Sequence, residues 1–256
     1  MNNADNVGVP SLTTMRRRSN QLSRDLTKFL ASACNVELSS PVDVLGLLFI
    51  TQETFRYRGI LTLVREKQFF NAEALLRGLW ESRITIRYLF ACWSDPDEVA
   101  DAYVKFVNFK WAEKAAKSKT SEVAQVAASS TESETYRNEF EALPDDLKKL
   151  FRRDCAAMCA ELDKFDPLPP NPTGLDWSYA HEYDHLFRFQ SDSVHGGLEG
   201  AARLVDPLFN DMNFTADEAD DLARGYLGAA YSWMKEIVDA WISRANNPEF
   251  VRLARE

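Results

Sequence analysis

Thr215-Ala216-Asp217-Glu218-Ala219-Asp220-Asp221-Leu222-Ala223-Arg224-Gly225-Tyr226-Leu227-Gly228-Ala229-Ala230-Tyr231-Ser232-Trp233-Met234-Lys235-Glu236-Ile237-Val238-Asp239-Ala240-Trp241 is the stretch that decides the fold class. Thr215 followed three residues later by Glu218 is a capping box, in which each side chain satisfies a backbone N–H of the other's residue. Behind it Leu222, Tyr226, Ala229, Ala230, Trp233, Ile237 and Trp241 recur every three or four residues. That period places side chains on one face of an α-helix. The spacing predicts one long amphipathic helix running to about Arg244.

The same grammar repeats toward the N-terminus. Ser11 opens a helix expected to reach about Ala33, and Ser40-Pro41, a cap followed by proline at the first helical position, launches another to about Glu66. Leu75, Leu76, Leu79, Trp80, Ile86 and Phe90 mark a helix from about Phe70 to Trp93, and Ser94-Asp95-Pro96 starts one expected to end near Lys119. Residues 118–133 are rich in Ser, Thr and Ala and weakly patterned, so they are expected to be a mobile excursion. Glu134 to Asp163 is helix-rich, with a break at Pro144, and 166–177 is a Pro-rich loop. Residues 1–10 and 247–256 are expected as tails. Strand-type alternation is nearly missing and there are only 10 glycines. The expectation is an all-α fold: one domain over 1–256, a single bundle of about seven to nine helices with long antiparallel members.

Composition narrows the function classes. The formal net charge of -9 argues against general binding to duplex DNA or to anionic lipid. The polar start Met1-Asn2-Asn3-Ala4-Asp5-Asn6 predicts no secretory leader. No apolar run reaches the roughly 20 residues that span a bilayer, and the most apolar one, Val42 to Ile50, contains Asp43. Cys34, Cys92, Cys155 and Cys159 are few and scattered, which points to a reducing cytoplasm and to buried small hydrophobes rather than a disulfide scaffold or a zinc site. Sixteen Phe, eight Tyr and six Trp predict an aromatic core or an aromatic helix–helix interface.

All three histidines fall in His181-Glu182-Tyr183-Asp184-His185-Leu186-Phe187-Arg188-Phe189-Gln190-Ser191-Asp192-Ser193-Val194-His195. On a helix, His181, Asp184, His185, Arg188, Ser191, Asp192 and His195 lie within roughly 120° of one another, with Tyr183, Leu186, Phe187 and Val194 opposite. Gly196 is placed as a C-cap, so His195 sits in the last turn, where the helix dipole favours its protonated form. The plain account is a solvated face with Asp184–Arg188 and Arg188–Asp192 pairs four apart. His181 and His185 with Asp184 or Asp192 have a spacing compatible with zinc, but no HExxH is present, and neither a metal nor a cofactor is expected. The third account is phosphodiester chemistry, with His195 as general acid or base and Arg188 holding the phosphate. Arg188-x6-His195 resembles the Arg-x4–6-His pattern of the HEPN superfamily of small helical bundles, many of them metal-independent ribonucleases; Phe189 stands where Asn commonly follows the arginine.

A second polar row lies at Glu73, Arg77 and Glu81, with Ser82, Arg83 and Arg87 close by, on a helix whose other residues are largely apolar. Either the row is a self-satisfied Glu–Arg–Glu ladder, or Arg77 and Glu81 face the histidine helix and orient His195 or Ser191. The run Asn71-Ala72-Glu73-Ala74-Leu75-Leu76-Arg77-Gly78-Leu79-Trp80-Glu81, followed by Tyr88, Tyr103 and Phe106 and later by Ser191-Asp192-Ser193-Val194-His195-Gly196, resembles a mostly bacterial helical family of unknown function. That family pairs an Ala-x-x-Leu-x-Arg-x-x-x-Glu helix with a Ser-x-x-x-His-Gly motif. The resemblance covers roughly Thr51 to Gly197, implies an all-helical fold and picks out Arg77, Glu81, Ser191 and His195.

Two functions follow as expectations. One is a ribonuclease, by analogy a toxin or antiphage component, with His195 and Arg188 catalytic and Ser191, Arg77, Glu81 and Asp192 binding or orienting. RNA or a nucleotide would be its ligand, held in a basic groove built from Arg16–Arg18, Arg83 and Arg87. The other is a non-catalytic helical interaction module, a homo-oligomer, in which the Ser/His/Arg/Glu cluster is a buried structural network. Trp233 and Trp241, eight apart on the last long helix, are then either core or partner surface.

Overall fold

A computed structural model describes residues 10–38, 40–117, 131–168, 178–184 and 215–255. Among them are ten helices and no strand: α1 Leu12–Ala33, α2 Pro41–Arg65, α3 Phe69–Cys92, α4 Pro96–Lys117, α5 Thr131–Glu141, α6 Asp145–Phe151, α7 Cys155–Phe165, α8 Tyr179–Glu182, α9 Ala216–Ile242 and α10 Pro248–Arg255. The fold is all-α. None of these helices is long and apolar enough to cross a membrane.

The start signals act as capping chemistry requires. Ser11 Oγ accepts from the Thr14 N–H at 3.2 Å, Ser40 Oγ from the Asp43 N–H at 3.3 Å, and Asp95 Oδ1 from the N–H groups of Asp97 and Glu98 at 3.0 and 3.1 Å. In the capping box the Glu218 N–H donates to Thr215 Oγ1 at 3.3 Å and the Thr215 N–H donates to Glu218 Oε2 at 2.9 Å. Those bonds to its ionised form hold the Glu218 carboxyl below its ordinary value.

The structure differs from expectation in detail. The helix-rich segment after residue 130 is broken at 142–144, as Pro144 implies, and again at 152–154, where Asp154 caps α7 by accepting from the Ala157 N–H at 2.8 Å. The segment expected as a C-terminal tail contains α10, whose Phe250 is buried with its ring 5.3 Å from that of Trp241. Cys34 is exposed, so the expectation of four buried thiols holds fully only for Cys159. Residues 118–130 of the expected excursion, 169–177 of the expected loop and 1–9 of the expected N-terminal tail lie outside the described residues.

The chain divides into two compact units, the first comprising 1–35, 50–83 and 181–239 and the second 36–49, 84–180 and 240–256. In the first unit Met15, Phe29, Tyr57, Ile60, Leu79, Trp80, Leu227, Trp233 and Ile237 are buried. The second is built around aromatic rings: Phe106 stacks on Phe151 at 5.4 Å and Phe109 on Phe140 at 4.4 Å. Its Trp241 lies so close over Gly46 that a Cβ there would fall 1.9 Å from the indole nitrogen. Asp43, the charge inside the apolar run, is fully buried, and its Oδ1 accepts from the N–H of Asn246 at 3.1 Å. It therefore ties α2 to the turn that joins α9 to α10.

Candidate functional site

α3 carries the two candidate residues that fall among the described ones, Arg77 and Glu81. Leu76, Leu79, Trp80 and Ile84 are buried on it, yet it carries three arginines, at 77, 83 and 87, and a fourth guanidinium reaches it from Arg56 of α2. A charge on such a surface is tolerated only where opposite charge and hydrogen bonds replace water.

Arg83 is the most deeply placed, with its side chain 1% exposed. Its Nη1 donates to Glu182 Oε2 at 2.5 Å and its Nε to Glu236 Oε2 at 2.6 Å. The indole Nε1 of Trp80, one turn earlier on α3, donates to the same Glu182 oxygen at 3.0 Å. The guanidinium carbon stands 6.0 Å from the ring centre of Trp233, and the Trp80 and Tyr183 rings lie 6.3 Å apart. One cation thus gathers carboxylates from α8 and α9 onto α3, within the first unit.

A second group joins α2 to α3 in the same unit. Glu53 is fully buried and accepts from Arg56 Nη1 at 2.5 and 2.6 Å and from Ser82 Oγ at 2.8 Å. Arg56 Nη1 also donates to the Gly78 carbonyl at 3.1 Å. A Cβ at Gly78 would stand 2.8 Å from Arg56 Nε, so the missing side chain is what lets the guanidinium lie against α3. Burial pushes the Glu53 carboxyl above its ordinary value and outweighs the opposing pull of Arg56 and Ser82; nearby Glu81 adds to the rise.

Arg77 Nε donates to Glu81 Oε1 at 3.1 Å, four residues on, with Arg77 largely buried and Glu81 half open to solvent. This pair is the Arg–Glu part of the expected ladder. In the second unit Arg87 donates to Asp166 Oδ2 from Nε at 3.1 Å and from Nη2 at 2.7 Å, and it stands 5.4 Å over the Tyr179 ring. Asp163 accepts from the N–H groups of Tyr179 and Ala180 at 2.7 and 3.0 Å, which caps α8.

Of the sequence-predicted residues, Arg77 and Glu81 are brought together. Arg188, Ser191, Asp192 and His195 lie outside the described residues, as does His185. His181 and Asp184 are exposed, as the polar arc of the histidine stretch requires, whereas Glu182 is buried. The expected basic groove is corrected: Arg83 is sealed among carboxylates and cannot meet a polyanion, and Arg87 is held by Asp166. Trp233 and Trp241 are 6% and 0% exposed, so each is core rather than partner surface.

Sequence reasoning missed the Arg83–Glu182–Glu236 group, although a signal was there. Glu182 is the one carboxylate of the histidine stretch that falls off the polar arc, and Arg83 stands three after Trp80 and four after Leu79, where an apolar residue is due. Two opposite charges, each misplaced in its own helical register, are each other's natural partners.

A family model described as a family of unknown function (DUF5677) matches residues 44–213, most of the chain, and the protein belongs to that family. The match takes in Glu53, Arg56, Arg77, Glu81, Arg83, Glu182 and the histidine positions, and leaves out α1 and α9. No curated protein and no solved structure matches the chain.

Proposed function

We propose that this family member is a non-catalytic helical interaction module that works as a homo-oligomer, with the charged residues of α3 serving to fix the fold. The observation that carries the reading is the neutralisation of Arg83, a guanidinium removed from solvent and held by Glu182 and Glu236. A group so enclosed positions helices; it does not turn over substrate. Arg77–Glu81 and Arg56–Glu53 fit the same role.

The partner surface is α2. Phe55, on the part of that helix that belongs to the first unit, is 68% exposed. An exposed aromatic ring on a helix suits a symmetric contact with the same helix of a second copy, since a two-fold axis pairs a patch with itself. Sedimentation equilibrium tests this: the wild type is expected to self-associate and Phe55→Ser to weaken association without loss of folding. A strict monomer refutes it.

The second reading is a metal-independent ribonuclease, in a toxin or antiphage setting, with Arg188 as phosphate clamp, His195 as acid and base, and Ser191, Asp192, Arg77 and Glu81 orienting. It is favoured by the anchoring of Glu182, thirteen residues before His195, on the helix that carries Arg77 and Glu81. RNA cleavage between about pH 6 and 8 that survives a chelator and is lost in both His195→Ala and Arg188→Ala would establish this reading over the first.

A further inference from the structure

α1 and α2 each turn a polar stripe toward one groove in the first unit. Arg16, Ser19 and Asn20 come from α1, and Arg58, Thr62 and Arg65 from α2. The intervals of three, four and seven put each set on a single helix face. The groove encloses about 250 Å³. Three guanidiniums line it and no carboxylate does, in a chain whose formal net charge is -9. Arg16 and Arg58 have no ion-pair partner among the described residues, and Arg65 meets Glu66 only in an exposed pair at 3.0 Å, which water screens.

An independent observation lies at the floor. Ser19 is fully buried there, and its hydroxyl has no hydrogen-bond partner among the described residues. Its carbonyl accepts from the Tyr57 hydroxyl at 3.2 Å. Buried polar groups are nearly always satisfied, so an unpaired hydroxyl on a residue that lines the groove supports a ligand acceptor there.

We propose that this groove binds a small phosphate monoester. Guanidinium forks match phosphate oxygens in pairs, and several converging on one site suit a dianion better than a carboxylate. The volume is below the roughly 300–1,000 Å³ of sites for drug-sized ligands, so it takes a phosphate with a compact organic group such as a pentose. Leu227 of α9 supplies an apolar wall for that group. The inference goes beyond the interaction-module reading and does not depend on it.

Isothermal titration of the full chain with ribose 5-phosphate, ribose and inorganic phosphate tests it. Ribose 5-phosphate is expected to bind, more weakly as salt rises, and ribose not to bind. Arg16→Gln and Arg58→Gln, at exposed positions, are each expected to weaken binding about tenfold, whereas Arg24→Gln, on α1 but off the groove, leaves it unchanged. Ser19→Ala is expected to weaken binding while the melting temperature holds or rises, a combination that a purely structural serine would not give. The proposal is overturned if ribose 5-phosphate gives no binding up to about 10 mM, if either arginine variant binds like the wild type, or if inorganic phosphate binds as tightly as the monoester.

Discussion

Arg83→Met tests whether the buried cation organises the first unit. Methionine follows the arginine stem and fills much of its volume, so the cavity contribution is small. What is lost is the charge that compensates Glu182, whose side chain is 7% exposed, and Glu236, at 25%. Removing one member of a buried ion pair costs about 3–5 kcal/mol, because the other charge is left in place without its partner. At roughly 2–4 °C per kcal/mol for a chain of this size, the melting temperature is expected to fall by roughly 6–20 °C. Glu182→Gln should cost less, about 1–3 kcal/mol, since its amide oxygen can still accept from Trp80 Nε1 and Arg83 keeps Glu236. Urea denaturation of the two single variants and the double variant closes a cycle in which the coupling is expected to be roughly 1–3 kcal/mol. The reasoning is refuted if Arg83→Met costs less than about 1 kcal/mol, the range of a surface pair, or if the two substitutions simply add.

Two glycines should respond in opposite directions. Gly46→Ala drives a methyl group to within 1.9 Å of the Trp241 indole and is expected to cost at least about 3 kcal/mol, whereas Gly225→Ala, exposed on α9 with nothing within 4 Å, is expected to stabilise by about 0.5–1 kcal/mol in the same thermal melts. Gly78→Ala pushes Arg56 off Glu53 and is expected to cost about 1–3 kcal/mol, with a far smaller loss when Arg56→Ala is already present. Glu53 gives a pH signature. Its carboxyl is raised in the folded chain, so the stability it contributes is fully present below the unfolded value near 4.5 and is lost as pH rises through the folded one. The stability advantage of wild type over Glu53→Gln, measured by denaturant at pH 4.5 and pH 8, should therefore be larger at the lower pH.

The helices were legible because their signals are local. Ser11, Ser40-Pro41, Asp95-Pro96 and Thr215-Glu218 each announce a start within four residues, and each cap bond forms where it was expected. The second break, at 152–154, was less legible, since Asp154 reads equally well as a surface residue of a continuing helix. α10 was missed because a two-turn helix has too few apolar positions for a period to show. Only burial of Phe250 against Trp241 makes that segment worth ordering, and this is a long-range fact. At the site, composition singled out histidine and spacing singled out the Arg77–Glu81 pair. Neither measures depth, and depth is what separates Arg83, enclosed by two carboxylates, from Arg58, exposed along a groove.

Those two arginines show why a charge at an apolar register position carries more information than the apolar residues around it. Leu76, Leu79 and Ile84 would pack against many partner helices in several registers, because dispersion and burial have no direction. Arg83 accepts few arrangements: it must meet carboxylates at hydrogen-bond distance or bear the cost of dehydration. Glu182 lies roughly a hundred residues later and Glu236 fifty beyond that, so satisfying one guanidinium fixes where α8 and α9 meet α3. Asp43 does the same in the second unit, where its two backbone donors at 246 and 247 lie some two hundred residues away. In each unit the long-range topology is thus written in a misplaced charge, and function is sought among the groups the fold leaves exposed, the arginines of the α1–α2 groove and Phe55 of α2.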